Sequence, residues 1–330
     1  MILLTGATGY IASHTWVELA RAGHRVIGVD NFANSKPSVL DGLASNMGDK
    51  PEFAELDVRD TPRLTELMQS RHVEAVIHFA AHKAVGESIK QPLAYYANNI
   101  GGLLSVCESM QQCGVRRIVF SSSAAIYAPT DALPIPESAP KLPSSPYGTT
   151  KLLGETILHD LAKASNWDVA VLRYFNPAGS HPSGLIGEDP QDTPSNLVPY
   201  VAKVVAGALP VLPIYGNDYE TPDGTGVRDF IHVVDLATAH VAALQALGRG
   251  ASFVVNVGTG RGYSVLEVVR AYEQVSGRTV SLRIAPRRPG DVAACYADAS
   301  AARALLGWQS RYSLLDICQH SWRWQQKLST

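Results

Sequence analysis

The chain has 330 residues, of which 46% are hydrophobic and 18% charged, and its formal net charge at pH 7 is −2. The length exceeds what one hydrophobic core usually supports, and the composition is that of an ordinary folded protein rather than a disordered one. A charge this close to zero gives no electrostatic footprint for nucleic acid or for an anionic membrane, so any anionic ligand must be held by a local site.

Neither targeting nor metal-binding patterns stand out in the sequence. The first ten residues, MILLTGATGY, carry no basic region and no cleavage site, and no apolar run reaches the roughly 18 residues that a spanning helix needs. The four cysteines, Cys107, Cys113, Cys295 and Cys318, lack a paired CxxC spacing. We therefore expect a cytoplasmic protein with reduced thiols, without a signal peptide, a membrane span or a bound metal.

Short apolar, β-branched segments alternate with longer helical patterns through the first half of the chain. The predicted strands cover residues 2–5, 25–30, 52–57, 75–80, 117–121 and 169–174. The predicted helices cover residues 11–21, 62–70, 93–113 and 147–164. Such alternation indicates a parallel sheet with right-handed crossover helices on both faces. The predicted fold class is therefore an α/β, doubly wound parallel sheet of the Rossmann type.

The rhythm changes at residue 176, where a stretch rich in Pro, Gly and Asn begins, NPAGSHPSGLIGEDPQDTPSN. Long ordered loops in compact enzymes are commonly binding loops. Further on, VRDFIHVVDLATAHVAALQAL and FVVNVGTG predict a helix and a strand that could return to the main sheet. We therefore predict a dinucleotide-binding domain, 1–175 plus about 235–257, and a smaller, discontinuous α/β substrate lobe, about 176–234 plus 258–330.

A glycine turn, TGATGYIA, follows the first predicted strand and opens the first predicted helix. Gly6 and Gly9 allow the backbone to turn tightly and to approach a pyrophosphate, whose charge is stabilised by the amides at the helix N-terminus. Ala12 stands where a third glycine is common, and alanine is tolerated there. Such a turn alone is a weak indicator of a dinucleotide site.

Asp30 strengthens this indication because it ends the second predicted strand. A carboxylate there can accept hydrogen bonds from both ribose hydroxyls and repels a 2′-phosphate, so NAD is preferred to NADP. The alternative is that Asp30 is only a turn or helix-capping residue. Asp57 ends the third predicted strand and could hold the adenine amino group. The end of the fourth strand lies at the sheet edge where ligands gather, and it carries Phe79, Ala80, Ala81 and Lys83.

Tyr147 and Lys151, in SPYGTTK, lie four residues apart on a predicted helix and therefore share one of its faces. A free tyrosine, with a pKa of about 10, is a poor base at neutral pH, but a nearby cation favours its phenolate. Together with Ser123, upstream in SSSAAIY, the pair could move a proton and a hydride. The alternative is an amphipathic helix that carries a tyrosine and a surface lysine by chance.

These motifs, together with those of the second half, resemble the extended short-chain dehydrogenase/reductases and, within that group, the UDP-galactose (UDP-glucose) 4-epimerase family. The second-lobe motifs are far more specific than the glycine turn. The resemblance covers nearly the whole length, in TGATGYIASHT, VDNFANSK, VIHFAAHKAVGES, YYANN, FSSSAAIY, SPYGTTK, RYFNPAGSHPSGLIGEDP, NLVPY, IYGNDYETPDGTGVRDFIHVVDLA and APRRPGDVAACYADAS.

The resemblance implies that Tyr147 takes the proton of the sugar 4-hydroxyl while C4 delivers hydride to tightly held NAD. Ser123 would hydrogen-bond the same oxygen, and Lys151 would contact the nicotinamide ribose and favour the phenolate. The 4-keto sugar would then turn and regain hydride on its other face. The implied NAD contacts are Gly6, Gly9, Tyr10, Ile11, Asp30, Asn31, Asn34, Ser35, Asp57, Val58, Phe79, Ala80, Ala81, Lys83, Asn98, Ser121, Tyr147, Lys151 and Phe175.

The resemblance also implies a UDP-hexose as the substrate. Arginines suit its diphosphate because a guanidinium gives forked, charge-assisted hydrogen bonds. Without the resemblance, a surface ion pair of Arg228 with Asp229 would be the safer interpretation. Ile214 and Tyr215 would lie beside the uracil. The implied substrate contacts are Lys83, Ser123, Tyr147, Asn176, Asn196, Leu197, Ile214, Tyr215, Arg228, Arg288, Asp291 and Cys295.

Two positions depart from patterns of this enzyme group. Ala124 and Ala125 stand where the related 4,6-dehydratases carry an Asp-Glu pair, so the catalysts of dehydration are missing. Cys295 stands where a bulky tyrosine favours plain hexoses and where a small residue leaves room for an N-acetyl group at C2. The resemblance therefore implies activity on UDP-glucose/galactose and on the N-acetylated pair. The alternative is that Cys295 only packs and that Tyr296 fills the space.

Apolar residues cover broad arcs of the predicted helices 93–113 and 147–164, which could pair with their copies in a four-helix bundle. The resemblance implies such a homodimer, although burial under a loop would give the same pattern. Two other functions stay open at this point. The first is another sugar-nucleotide enzyme of this fold, a reductase or a UDP-pentose epimerase. The second is a non-catalytic dinucleotide sensor, against which the intact catalytic trio argues.

Overall fold

The computed structural model describes residues 1–190, 194–248, 250, 252–288 and 290–328. Its strands are β1 (Ile2–Thr5), β2 (Val26–Asp30), β3 (Glu52–Glu55), β4 (Ala75–His78), β5 (Arg117–Ser123), β6 (Asp168–Tyr174), β7 (Asn176–Ala178), β8 (Leu212–Tyr215), β9 (Val227–Arg228), β10 (Phe230–His232), β11 (Phe253–Val257), β12 (Tyr263–Ser264), β13 (Leu282–Ala285) and β14 (Ala294–Cys295). Its helices are α1 (Tyr10–Arg21), α2 (Val39–Met47), α3 (Thr61–Ser70), α4 (Val85–Lys90), α5 (Pro92–Tyr95), α6 (Gly101–Gln112), α7 (Pro146–Ser165), α8 (Leu197–Val205), α9 (Val233–Leu247), α10 (Val265–Ser276), α11 (Ser300–Leu306) and α12 (Leu314–Leu328).

Seven strands form one sheet in the order β11-β6-β5-β4-β1-β2-β3, and each neighbouring pair runs parallel. The connections change direction between β1 and β4, which opens a crevice at the carboxyl ends of these strands. Apolar clusters cover both faces of the sheet, one around Trp16 and Leu236 and the other around Leu64 and Met110. The predicted doubly wound α/β fold is confirmed.

Most predicted elements of the first half appear at or near their expected bounds. The prediction of one helix over 93–113 is wrong, because this segment consists of the end of α5, a π-helical turn at Tyr96–Ile100, and α6. Helix α5 begins at Pro92, since proline is tolerated in the first turn of a helix. Helices α2 and α4 were not predicted, because their Gly and Ser content weakens the helical pattern.

The second half of the chain both returns to the main sheet and builds a separate core. Strand β11 pairs with β6, so this segment returns to the main sheet as the sequence suggested. Helix α9 packs against α1. Helices α8, α10 and α12 enclose a second core that includes Val201, Tyr272 and Ile317. Helix α11 instead contacts α9 and β11, and Ala302 and Trp308 belong to the core of the main sheet. Residues 300–308 therefore pack on the larger sheet, although the prediction assigned them to the smaller lobe. The domain bounds themselves stay a prediction.

The predicted long loop begins with the short strand β7 and continues without further strands or helices through residue 190. Its residues 191–193 lie outside the described part of the chain. Residues 185–190 border the crevice at the edge of the main sheet. Among the described helices, none combines the length and the apolar character needed to cross a membrane.

Candidate active site

A cleft opens at the carboxyl ends of β1, β2 and β4, where the sheet changes direction. Most residues that the sequence predicted as NAD contacts line this cleft. They are Gly6, Gly9, Tyr10, Ile11, Asp30, Asn31, Asn34, Ser35, Asp57, Val58, Phe79, Ala80, Ala81, Lys83, Asn98, Tyr147 and Lys151. The fold therefore brings residues from Gly6 to Lys151, which are far apart in the sequence, to one cleft.

The glycine turn has the geometry that a pyrophosphate cradle needs. Gly6 has φ of +65°, and a Cβ added there would lie 2.8 Å from the backbone nitrogen of Ala80, so only glycine fits. Gly9 precedes α1 in an extended conformation, and the first helical hydrogen bond runs from Ser13 to Gly9. The amides of the first helical turn therefore have no partner within the helix and are available to an anion.

Asp30 lines the cleft and also shapes the turn after β2. Its Oδ2 accepts a hydrogen bond from the amide of Thr8 at 3.1 Å, and its Oδ1 accepts one from the amide of Phe32 at 2.9 Å. The turn role proposed as an alternative is therefore present, and it coexists with a position on the cleft. Because two amides fix the carboxylate at the end of β2, it is preorganised to accept ribose hydroxyls.

Asp57 lines the cleft, and its carboxylate is fixed by side chains of two neighbouring residues. Arg59 donates to both of its oxygens, from Nε at 2.9 Å and from Nη2 at 2.6 Å, and Asn31 donates from Nδ2 at 3.0 Å. The hydrogen bond from Arg59 holds the pKa of Asp57 well below its ordinary value. Asp57 is thus an anion on the wall of the cleft, neutralised by Arg59.

The three residues predicted to be catalytic, Ser123, Tyr147 and Lys151, lie at the end of β5 and in the first turns of α7. Helix α7 begins after Ser145, whose side chain accepts a hydrogen bond from the amide of Gly148 at 3.2 Å. A Cβ on Gly148 would lie 2.4 Å from the carbonyl oxygen of Ala125, so this glycine lets α7 pack closely against the turn that follows Ser123. That close packing brings Tyr147 beside Ser123.

The electrostatics of Tyr147 depend on burial, on Ser123 and on Lys83. The side chain is buried, with 7% exposure, and burial raises the pKa of Tyr147, while the hydrogen bond with Ser123 and the charge of Lys83 act to lower it. Lys151 donates from Nζ to the carbonyl oxygen of Ser121 at 2.7 Å, and burial lowers the pKa of Lys151 to about 8. Ser121 therefore positions Lys151 through its backbone.

A second cluster of predicted residues lies on the other lobe. Arg228 approaches Asp291 at 3.6 Å, and Arg288 donates to Asp291 from Nε at 3.0 Å. The guanidinium of Arg288 also lies 4.7 Å from the centre of the Tyr215 ring. The alternative ion pair between Arg228 and Asp229 is not what the structure shows, since Asp229 accepts hydrogen bonds from backbone amides at 259, 260 and 297.

Cys295 lies in β14 directly beside Arg228 of β9, in register with it. It packs against the small cluster that contains Phe175 and Ile126, and burial raises the pKa of its thiol. Phe175, which the sequence predicted as an NAD contact, therefore belongs to this cluster. The structure therefore sets Cys295 between Arg228 and the turn that follows β5.

Four further predicted substrate contacts lie in or directly beside β7, β8 and α8. Asn176 begins β7, Ile214 is fully buried in β8, and Leu197 begins α8 and packs on the second core. Asn196 precedes α8, but its side chain makes no capping hydrogen bond to that helix. It donates instead from Nδ2 to Oε1 of Glu188 at 2.8 Å.

Sequence reasoning missed several residues of the loop that covers the cleft. Glu188 binds Lys83, with Nζ to Oε1 at 2.9 Å, and Asp189 forms an ion pair with Lys36. Trp324 of α12 donates to the backbone carbonyl of Glu188. The only signal available was an acidic pair inside a segment already predicted to be a binding loop. In the described ranges, His, Cys, Asp and Glu side chains form no group of three suited to a metal ion.

The fold and the site together define a class of protein. The glycine turn and Asp30 line the same cleft of a doubly wound sheet as the buried Tyr147 and Lys151. This arrangement is typical of dinucleotide-dependent enzymes of the short-chain dehydrogenase/reductase type. Residues 2–258 match the model of the NAD dependent epimerase/dehydratase family. The chain belongs to this family. Its predicted enzyme class and its predicted cofactor, NAD, are confirmed.

Relatives within the family are similar over nearly the whole chain. The chain is 51% identical over 326 residues to the UDP-glucose 4-epimerase of Bacillus subtilis (strain 168), covering 98% of this chain and 96% of the relative. A UDP-glucose 4-epimerase structure from Stenotrophomonas maltophila, with bound NAD and formylated UDP-arabinopyranose, matches with a TM-score of 0.98 and 50% identity, covering 99% of this chain and 98% of that one. Another, from Bifidobacterium longum with NAD+ and UDP, gives 0.95 and 48%, with the same coverage.

Proposed function

We propose that the protein interconverts UDP-galactose and UDP-glucose by reversible 4-epimerisation through a 4-keto sugar. The observation that carries this proposal is the buried Tyr147, which lies beside Ser123 and faces the same cleft as the glycine cradle and Lys151. When bound, NAD supplies the chemistry of accepting a hydride from C4 of the sugar and returning it. The chain's own task is to hold the nucleotide, to move the proton of the 4-hydroxyl and to let the sugar turn.

Tyr147 acts as the base toward the 4-hydroxyl and later returns the proton. Loss of hydride from a carbinol is easier as its oxygen becomes an alkoxide, so the base must reach that oxygen while C4 faces the hydride acceptor. Ser123 hydrogen-bonds the same oxygen. The hydrogen bond with Ser123 and the charge of Lys83 lower the pKa of Tyr147 against the effect of burial.

The diphosphate of the nucleotide is held by Arg228 and Arg288, whose guanidinium groups both approach Asp291. The two groups thus share the single carboxylate of Asp291. An incoming diphosphate offers several oxygens to the same donors, so it competes with Asp291 for forked, charge-assisted hydrogen bonds. With the UDP anchored by these arginines, the 4-keto sugar can turn without leaving the site and present its other face.

The residues at the end of β5 argue against other chemistry on the same fold. Ala124 and Ala125 form the turn beside Ser123 and offer no carboxyl group for proton removal at C5 or for loss of water at C6.

A UDP-pentose is a second candidate substrate, because a similar structure holds formylated UDP-arabinopyranose. Comparing the turnover of UDP-arabinopyranose and UDP-galactose decides between a pentose and a hexose enzyme.

Activity on UDP-N-acetylgalactosamine and UDP-N-acetylglucosamine is proposed from the size of Cys295. The thiol lies next to Arg228 and packs against Phe175, so a phenol ring at this position would extend into the region between the diphosphate and Tyr147. Cys295→Tyr is therefore expected to lose the N-acetylated substrates while it retains UDP-galactose. Loss of both activities, or of neither, would contradict this use of the pocket.

We further propose that the protein is cytoplasmic and forms a homodimer. The dimer interface would be the apolar surface of α4, α5, α6 and α7. The exposed residues include Ile89 at 62% and Leu93 at 82%, together with Leu104 and Leu153. Patches of this kind mark sites of association. The molar mass from light scattering is expected to be twice that of the chain and to fall toward one chain in Leu104→Glu/Leu153→Glu. A wild-type mass of one chain would exclude the dimer.

One assay tests the central proposal. Purified protein is incubated with UDP-galactose without added reductant, and the nucleotide sugars are separated by chromatography. UDP-glucose is the expected product, and the reaction is expected to stop in Tyr147→Phe. A requirement for stoichiometric NADH or NADPH would identify a net reductase instead, and binding of NAD without turnover of any UDP-sugar would favour a sensor.

A further inference from the structure

A single carboxylate oxygen joins two predicted ligand-binding residues across the cleft. Oε1 of Glu188 accepts a hydrogen bond from Nζ of Lys83 at 2.9 Å and another from Nδ2 of Asn196 at 2.8 Å. Lys83 follows β4 in the main sheet, whereas Asn196 immediately precedes α8 of the second lobe. The Glu188 side chain is 8% exposed and that of Lys83 is 47% exposed, so the carboxylate is shielded from water although the ammonium is not.

The position of Glu188 is itself fixed from a third element. The indole of Trp324 in α12 donates from Nε1 to the backbone carbonyl oxygen of Glu188 at 3.1 Å. An anchored backbone and a shielded carboxylate leave the side chain little freedom. Charge-assisted hydrogen bonds to such a group are strong and directional. Glu188 is thus built to hold other side chains rather than to move.

The hydrogen bond from Lys83 to Glu188 bears on the chemistry of the site because Lys83 influences Tyr147. Its ammonium lies 5.9 Å from the centre of the Tyr10 ring and lines the same cleft as Tyr147. The charge of Glu188 and its hydrogen bond raise the pKa of Lys83 above the ordinary value. The charge of Lys83 in turn lowers the pKa of Tyr147. Lys151, by contrast, is directed to the carbonyl oxygen of Ser121.

The hydrogen bond to Glu188 also fixes the orientation of the Asn196 side chain. An asparagine that precedes a helix usually accepts a hydrogen bond from the first turn, and Asn196 does not. Its amide group donates to Glu188, and a carboxylate can only accept, so the NH₂ group must face Glu188 and the carbonyl oxygen must face away. The orientation of the amide is therefore set by Glu188.

We propose that Glu188 is a positioning residue that holds the ammonium of Lys83 beside the catalytic tyrosine and orients the amide of Asn196 toward the nucleotide sugar. This inference rests on the proposed epimerase function. Glu188 would act through Lys83 and Asn196 without touching the substrate, and its one side chain would link the two lobes. Substituting Glu188 should therefore change both turnover and substrate affinity through its two partners.

The first test is a pair of double-mutant cycles on the NAD-loaded enzyme. Glu188→Gln keeps the shape but removes the charge, and it is expected to lower kcat for UDP-galactose by about tenfold and to raise KM. In a Lys83→Met background the same substitution should have no further effect on kcat, and in an Asn196→Ala background none on KM. Glu188→Asp keeps the charge and should recover part of kcat. Additive losses in both cycles would overturn the proposal.

The second test does not depend on turnover. The pKa of Lys83 is obtained from the pH dependence of its acetylation by acetic anhydride, followed by mass spectrometry of the NAD-loaded protein. Glu188→Gln should lower this pKa by a measurable shift, and Asp189→Asn, which removes the neighbouring ion pair with Lys36, should not. An unchanged Lys83 pKa in Glu188→Gln, or an equal shift in both variants, would overturn the proposal.

The two tests also separate this inference from the function on which it rests. If the wild-type protein does not convert UDP-galactose, the proposed function fails, and the acetylation result alone decides whether Glu188 controls Lys83. If wild-type turnover is normal and the cycles are additive, the function stands and the positioning role of Glu188 falls. Urea unfolding of each variant is measured beside the kinetics, because loss of stability alone would leave the pKa of Lys83 unchanged.

Discussion

Removing the carboxylate of Glu155 is expected to destabilise the protein by about 3–5 kcal/mol, because it leaves a buried guanidinium without its counter-ion. Arg173 donates to Glu155 from Nε at 2.9 Å and from Nη2 at 2.6 Å, and Ser122 donates to the same carboxylate at 2.5 Å. The Arg173 and Glu155 side chains are 3% and 9% exposed. In Glu155→Ala, the guanidinium would keep only the hydroxyl of Tyr127 at 3.0 Å and the carbonyl oxygen of Glu137 at 2.9 Å.

Urea unfolding of the NAD-loaded protein measures this loss. With an m-value of about 3 kcal/mol per M, the midpoint should fall by roughly 1–2 M in Glu155→Ala. A buried ion pair replaced by apolar side chains of similar volume is often neutral or stabilising, so Glu155→Leu/Arg173→Met should regain most of the lost stability. The reasoning would be refuted by a loss below about 1 kcal/mol in Glu155→Ala, or by a double variant no more stable than the single one.

Four further outcomes are expected. Tyr147→Phe should lower kcat about 10²–10⁴-fold, with NAD retained as judged by absorbance; a smaller loss would move the base elsewhere. Gly6→Ala should purify without NAD, since its Cβ would meet the backbone of Ala80; undiminished NAD content would contradict the cradle. Cys295→Tyr should lose turnover of the N-acetylated sugars alone. Stripping NAD should lower the melting temperature, because a ligand at 100 times its Kd contributes about 2.7 kcal/mol; an unchanged value would argue against tight binding.

The parts of the site that could be predicted depend on short stretches of sequence. Gly6, Asp30 and the Tyr147–Lys151 pair each follow from a local rule, either a turn, a strand end or the spacing of one helix face. Their meeting in one cleft follows from the parallel sheet, which places the carboxyl ends of its strands at one edge. The arginine cluster on the second lobe came from the resemblance and not from any local rule.

The parts that could not be predicted depend on contacts between distant segments. Glu188 meets Lys83 across 105 positions of the sequence, and no periodicity links them. The Arg59 hydrogen bonds on Asp57 and the π-helical turn at Tyr96–Ile100 are likewise decided by packing that propensities do not encode. The same holds for Asn196, where a partner outside the helix overrides the usual capping preference.

The most direct test of the proposed chemistry follows the hydrogen at C4 through the reaction. UDP-galactose that carries deuterium at C4 is converted by the purified protein in ordinary water, and the isolated UDP-glucose is analysed by mass spectrometry and NMR. We predict that the deuterium stays at C4 of the product, because the same hydrogen leaves one face of the sugar and returns to the other. Loss of the deuterium to solvent during turnover would contradict this mechanism.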